Sequence, residues 1–237
     1  MTLHSFPLLR LLHLADSALP IGSTAHSYGL ETLIHDADLT VDQLDGCFAH
    51  ILAEAGAVEA AYCRRAYALG AVRSGPDADG DATRWQAWQA INRGLSARKP
   101  ARESRQASAT LGRRLLRLAL SLEDDATLRQ ALDAGSAIDL HHAPVFGLLG
   151  GHWRLGEEAT VLAFLQQMMT GLVSACQRLM PLGQQRAQSI LWGLQPTLAA
   201  TVQRSIAAGD DDPPAFTPLL DIAGMRHPTL PVRLFVS

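Results

Sequence analysis

Aromatic residues and cysteines are scarce in this chain, and the familiar catalytic signatures are missing. Of 237 residues only 5% are aromatic while 48% are hydrophobic. The apolar mass is therefore chiefly Ala and Leu, side chains that give up little freedom in a helix. Cys47, Cys63 and Cys176 are odd in number and contain no CxxC pair, which speaks against a disulfide framework or a thiolate zinc site and for reduced, packed thiols. Neither sign of charge dominates: 20 Lys and Arg stand against 23 Asp and Glu, a formal charge of −3. No nucleic-acid or anionic-membrane footprint is expected from that balance.

Phosphate loops of the GxxxxGK[ST] and GxGxxG forms are absent, as are a GxSxG elbow and an HExxH pair. Any nucleotide chemistry would therefore belong to a partner, and no reactive centre is proposed by the sequence. The N-terminus has no basic start, and Arg10 and His13 interrupt its apolar run, so the chain reads as cytoplasmic. Ala159 to Gln177 carries no charge over 19 residues, about the length that spans a bilayer. Its apolar residues recur as a one-sided stripe interrupted by Gln166 and Gln167, the pattern of a buried core helix.

What is present is helical. Thr40 to Gln43, Thr83 to Gln86 and Thr127 to Gln130 have the capping-box form and are each expected to open a helix. Leu111, Leu115, Leu118 and Leu122 follow helical spacing, with Arg113, Arg114 and Arg117 on the other face. The patterns predict helices over 7–17, 25–36, 41–72, 83–97, 101–121, 125–133, 144–154, 157–179, 183–194 and 197–208, with a short turn near 218–225. This is an all-α, single-domain bundle of about ten helices. Loops are expected over 74–81 and 209–218, both rich in Asp, Gly and Pro. Three alternating aspartates in the first share the spacing of a calcium loop, but the bidentate Glu that such a loop requires is missing.

Nine histidines are the main resource for metal binding. His141 and His142 precede Pro144 and read as packing or capping groups. His26, His35, His152 and His227 are too scattered for a closed site, which leaves at most a transient contact with an ion such as nickel or zinc at any of them, His26 and His227 included.

Several blocks share an order and spacing with one family: Leu19-Pro-Ile-Gly22, Ser27-Tyr-Gly-Leu-Glu31, Glu103-Ser-Arg105 with Ser108 and Gly112, Pro144-Val-Phe-Gly147, and Arg178-Leu-Met-Pro-Leu-Gly-Gln184. To these are added Leu220-Asp-Ile-Ala-Gly-Met-Arg-His227 and Arg233-Leu-Phe-Val-Ser237. From about residue 8 to its end the chain resembles the urease accessory protein UreF family. The resemblance implies an all-helical, non-catalytic scaffold that dimerises, binds UreD (UreH in some organisms) and recruits the GTPase UreG, so that nickel reaches apo-urease. No intrinsic cofactor is implied: nickel is handled in the complex and GTP is held by UreG.

Carried over to this chain, Tyr28, Glu31 and Arg178 lie toward UreG, while Arg226, His227, Arg233, Leu234 and Phe235 are ordered by UreD. Partner binding is thus expected in an N-terminal segment of about 1–30 and a tail of about 210–237. The residues alone leave two readings open for the tail, docking on a partner or on its own core, and two for Glu31 and His227, an interface or an internal ion pair. A helical small-ligand-binding protein or enzyme built on the interior histidines is the alternative function; it requires a deep pocket with convergent polar groups. Two departures from the family pattern stand out. His26 appears in Ile21-Gly-Ser-Thr-Ala-His-Ser27, and Pro228 and Pro231 make a helical end to the tail unfavourable.

Overall fold

A computed structural model describes residues 5–36, 39–72, 78–209, 211 and 213–237. Among them are twelve α-helices, three short 3-10 turns and no strand. The helices are α1 (Ser5–Leu14), α2 (Leu30–His35), α3 (Leu44–Ala53), α4 (Ala55–Ala71), α5 (Ala78–Ala97), α6 (Arg102–Leu122), α7 (Ala126–Ala134), α8 (His142–His152), α9 (Glu157–Leu179), α10 (Gln184–Gly193), α11 (Gln195–Ala207) and α12 (Pro218–Arg226). The all-α expectation holds, and the difference in helix number has two sources. The run expected over 41–72 breaks at Glu54, and the turn expected near 218–225 is a nine-residue helix. At the break Glu54 leaves helical geometry at φ −102° and ψ −77°, and its carboxylate accepts the Phe216 N–H at 2.9 Å.

Of the three expected caps, one survives. Gln43 Oε1 accepts the Thr40 N–H at 2.8 Å, the reciprocal bond of a capping box. Thr83 lies inside α5, which starts at Ala78, so it does not open that helix. At α7 the cap is Asp125, whose carboxylate accepts from Thr127 N and Leu128 N at 2.7 and 3.2 Å; an Asp is a better N-cap than the Thr beyond it. Of the loop expected over 74–81, residues 74–77 fall outside the described set, and 78–81 open α5. In the second expected loop 210 and 212 likewise fall outside, while 213–217 are irregular and Pro218 starts α12.

The bundle is organised around α8. Every residue from Ala143 to Gly151 is buried, as befits a helix that is apolar all round, and α4, α6 and α9 enclose it. The α4–α8 crossing brings backbone against backbone: a Cβ on Gly147 would lie 1.9 Å from the Cys63 carbonyl oxygen, and one on Gly151 2.1 Å from that of Tyr67. Glycine is thus a steric requirement here, beyond any conformational one. α9, the uncharged stretch, is long and apolar enough by composition to cross a membrane. It buries Val161, Phe164, Leu165, Met169, Leu172 and Val173 in the core cluster shared with the other helices. The three cysteines are free; Cys63 and Cys176 are buried, and burial pushes the Cys176 thiol up to about 12.

His141 and His142 stand at the start of α8. The His141 N–H donates to Asn92 Oδ1 at 2.9 Å, and its Nε2 lies 2.7 Å from Ser96 Oγ. Burial, aided by Lys99, draws His141 down to about 3 and His142 to about 4.

Two outcomes follow from these contacts. Gly147→Ala is expected to destabilise the fold by about 2–4 kcal/mol in chemical unfolding, because neither backbone can retreat without repacking the crossing. Gly171→Ala on α9, where an added Cβ meets nothing within 4 Å, is expected to stabilise by about 0.5–1 kcal/mol through helix propensity. For acidity, His141 and His142 refuse protons that the unfolded chain accepts below about 6.5. The contribution of these two rings to stability is therefore full above that pH and falls as pH drops from about 6.5 toward 4, each ring adding up to about 1.4 kcal/mol of loss per pH unit. Denaturant midpoints across that range check the slope, which His142→Gln should flatten.

Candidate functional site

Residues from both ends of the chain meet at one place. The stretch before α2 turns sharply: Tyr28 and Gly29 both take positive φ, 52° and 94°. A Cβ on Gly29 would come within 2.8 Å of the Leu220 carbonyl oxygen and 2.9 Å of Gly224 N, so glycine lets the start of α2 abut α12. This turn places Glu31 in the first turn of α2, facing the tail that leaves α12.

Glu31 is only 5% exposed, and a carboxylate so placed requires donors. It has three. Oε1 accepts the Leu234 N–H at 2.5 Å; Oε2 accepts the Phe235 N–H at 3.1 Å and lies 2.8 Å from His227 Nε2. The other ring nitrogen, Nδ1, is 2.6 Å from Oε2 of Glu103 in the first turn of α6. Glu103 Oε1 in turn accepts from the Arg233 guanidinium at 3.0 Å. A nitrogen facing a carboxylate oxygen has to donate, and a neutral imidazole has only one N–H. The cluster is therefore complete when His227, wholly buried, carries both protons; two carboxylates, an imidazolium and a guanidinium then cancel in charge.

Around this core the tail is pinned at further points. The Ser237 oxygen accepts from Tyr28 N at 3.2 Å and from the Ser27 hydroxyl at 2.9 Å, and His26 Nδ1 lies 2.9 Å from Ser237 Oγ. Val236 N donates to the Ala25 carbonyl at 2.9 Å. The Phe235 side chain is buried with the Arg178 guanidinium 4.0 Å from its ring centre, a cation–π contact, and Arg178 also donates to the Thr24 carbonyl. Arg226, exposed, pairs with Asp36 at 3.0 Å.

Every residue carried over as partner-binding, and His26 with them, is thus at or beside one cluster, including the two sets expected on separate faces. Glu31, His227, Phe235 and His26 are buried, Tyr28 is half-buried, and Arg178, Arg226, Arg233 and Leu234 are exposed. Of the readings left open for the tail, the structure adopts docking on its own chain, and Glu31 and His227 form an internal pair. The tail end is non-helical after the His227–Thr229 turn, as Pro228 and Pro231 foretell. Glu103, Ser27 and Asp36 complete the site without having been singled out for it. Glu103 and Ser27 stand in the family blocks, whereas Asp36 had no signal at all.

The arrangement is a clamp and not a reactive centre. Both His227 nitrogens are engaged, so neither can take a proton from a substrate or a bond to a metal while the cluster is closed. Among the described residues no group of three or more His, Cys, Asp or Glu is placed to hold a metal ion. Beside its exposed arginines the site also presents apolar side chains. Val232, Leu234 and Val236 alternate outward with exposures of 80%, 58% and 65%, and Leu219, Ile222 and Met225 form a stripe along α12, each at least half exposed.

Comparison with known proteins gives a consistent result. The sequence model of the UreF family matches residues 43–195. The chain is 32% identical to the urease accessory protein UreF of Nostoc sp., over all of this chain and 98% of that protein. It is 34% identical to the protein of that name from Thermosynechococcus vestitus, over 97% of each. With its namesake in Bacillus sp. (strain TB-90) identity is 30%, over 97% of this chain and 99% of the other.

Replacing Glu31 by Gln keeps the shape but sets an amide NH₂ against donors that need an acceptor. The variant is expected to lose about 2–4 kcal/mol of stability and to free the tail, read as faster tryptic cleavage after Arg226 and Arg233. Cleavage as slow as in the parent would show that the carboxylate does not hold the tail.

Proposed function

Because the chain belongs to the UreF family of urease accessory proteins, we propose that it is a non-catalytic scaffold for nickel insertion into urease. In this reading it binds UreD, recruits the GTPase UreG and takes its place in the complex that delivers nickel to apo-urease in the cytoplasm. The observation that carries the reading is the apolar stripe of α12 and the tail. Large apolar side chains exposed together mark a protein-binding surface, and these are fixed in place by a buried polar cluster that has no chemistry to perform. Leu219, Ile222, Met225, Val232 and Leu234 then form the surface that meets UreD, with Arg233 and Arg226 as charged rim.

The partner in this account meets a tail already folded against its own chain, so little ordering entropy opposes binding. Glu31, His227 and Phe235 act from below the surface by holding the backbone that carries it. A second exposed apolar set, Phe6, Leu8, Leu9 and Leu12 of α1, offers the N-terminal surface for the remaining contacts, recruitment of UreG and dimerisation. GTP binding and hydrolysis on UreG supply the switch, since the nucleotide decides which surfaces that partner presents.

The double variant Leu219→Asp with Met225→Asp is expected to weaken UreD binding at least about tenfold with an unchanged melting temperature, because both side chains are exposed. Titration of labelled UreD with either form measures it. Equal affinities would remove α12 from the interface, and failure of the parent chain to bind UreD would remove the proposal.

A further inference from the structure

A cavity of about 430 Å³ opens among α4, α6, α9 and α12, and it shares His26 and Tyr28 with the tail site. Protein interiors are packed to crystal density with few voids larger than a water molecule, whereas this volume is that of a small-ligand pocket. Leu111, Phe164 and Leu172 supply apolar wall, and its charged groups are Glu59, Arg98, Lys99 and Asp221, two of each sign, with Glu59 and Lys99 paired.

Three lining side chains carry a polar atom without a protein partner. Gln167 is 6% exposed, and its amide is oriented by Nε2 donating to the Leu14 and Asp16 carbonyls, both at 3.3 Å; this leaves Oε1 buried with no donor. His142 Nε2 is likewise unpaired. Its imidazole, drawn down to about 4 by burial and by Lys99, is neutral at physiological pH. The Tyr28 hydroxyl makes no hydrogen bond among the described residues, and burial, reinforced by Glu59, raises its pKa so that it remains an O–H donor.

The wall therefore offers an acceptor, a donor and a neutral imidazole set in apolar surroundings. The lining charges balance and are engaged within the chain, Lys99 with Glu59, Arg98 on the Pro213 carbonyl and Asp221 with the Thr217 hydroxyl, so a charged molecule would lose its hydration without an uncompensated counter-charge to meet it, and a hydrocarbon would leave the buried acceptor orphaned. We propose that this cavity is a binding site for a small uncharged molecule with an apolar body that presents a hydrogen-bond donor and an acceptor side by side, as an aromatic primary amide does. The ring of such a molecule packs on Phe164 and the His142 edge, its N–H₂ reaches Gln167 Oε1, and its carbonyl accepts from Tyr28. This site is independent of the scaffold reading, and UreD binding can fail or succeed without touching it.

Benzamide is the probe, titrated into the full chain by ligand-observed NMR, with benzoate and toluene as comparison arms. Saturable benzamide binding at one site, with benzoate not bound and toluene weaker, is the result expected. Tyr28→Phe should weaken benzamide roughly three- to tenfold, the range for one lost neutral hydrogen bond, and Leu172→Trp, which fills the cavity, should abolish binding with helicity retained. Three results would overturn the proposal: no saturable benzamide binding, benzoate bound as well as benzamide, or an affinity that Tyr28→Phe leaves unchanged. If Leu172→Trp fails to fold, the Tyr28→Phe comparison alone decides.

Discussion

One carboxylate taken out of water governs the shape of the functional end of this protein. Glu31 is buried, and burial of a charge is tolerated only where donors and an opposite charge surround it. Its donors, two backbone N–H groups and an imidazole, all come from the last segment of the chain. The tail has no regular secondary structure after Thr229 to satisfy its own backbone, so Glu31 also answers the tail's need for acceptors. Each side completes the other, and the second carboxylate, Glu103, ties the same imidazole to α6.

The clamp depends in turn on packing further in. α6, which carries Glu103, rests on α8, and α8 is seated on α4 through glycines that leave no room for a Cβ. α2, which carries Glu31, reaches α12 through the close contact at Gly29. Rigid helix-to-helix contacts thus set the distance between the two carboxylates, and His227 with its tail fits between them. The exposed apolar side chains of the tail follow from this geometry, since with Phe235 and Ser237 turned inward the alternation turns Val232, Leu234 and Val236 outward.

Much of this was legible in the sequence, and the misses have physical causes. Helix content, the core role of α9 and the reduced cysteines followed from composition and period, which are local properties. The break at Glu54 was not legible, because no proline marks it and the bond that holds it comes from Phe216, far along the chain. Capping by Asp125 in place of Thr127 was a choice between two competent residues two positions apart, which pattern alone does not rank. At the site, Glu31, Arg178, His227 and Phe235 were all singled out. Their convergence on one cluster was hidden, because pairing across roughly two hundred residues leaves no periodic trace. The cavity was foreseen only as the requirement of an alternative function; unpaired atoms such as Gln167 Oε1 emerge only once the neighbours are known.

The central claim is that the tail is folded by its own chain before any partner arrives, and the amides of Leu234 and Phe235 report on it directly. Hydrogen–deuterium exchange of the isolated protein should find both protected to nearly the degree of core amides in α8. Exchange of these two amides at the rate of an unstructured peptide, with α8 still protected, would contradict the account.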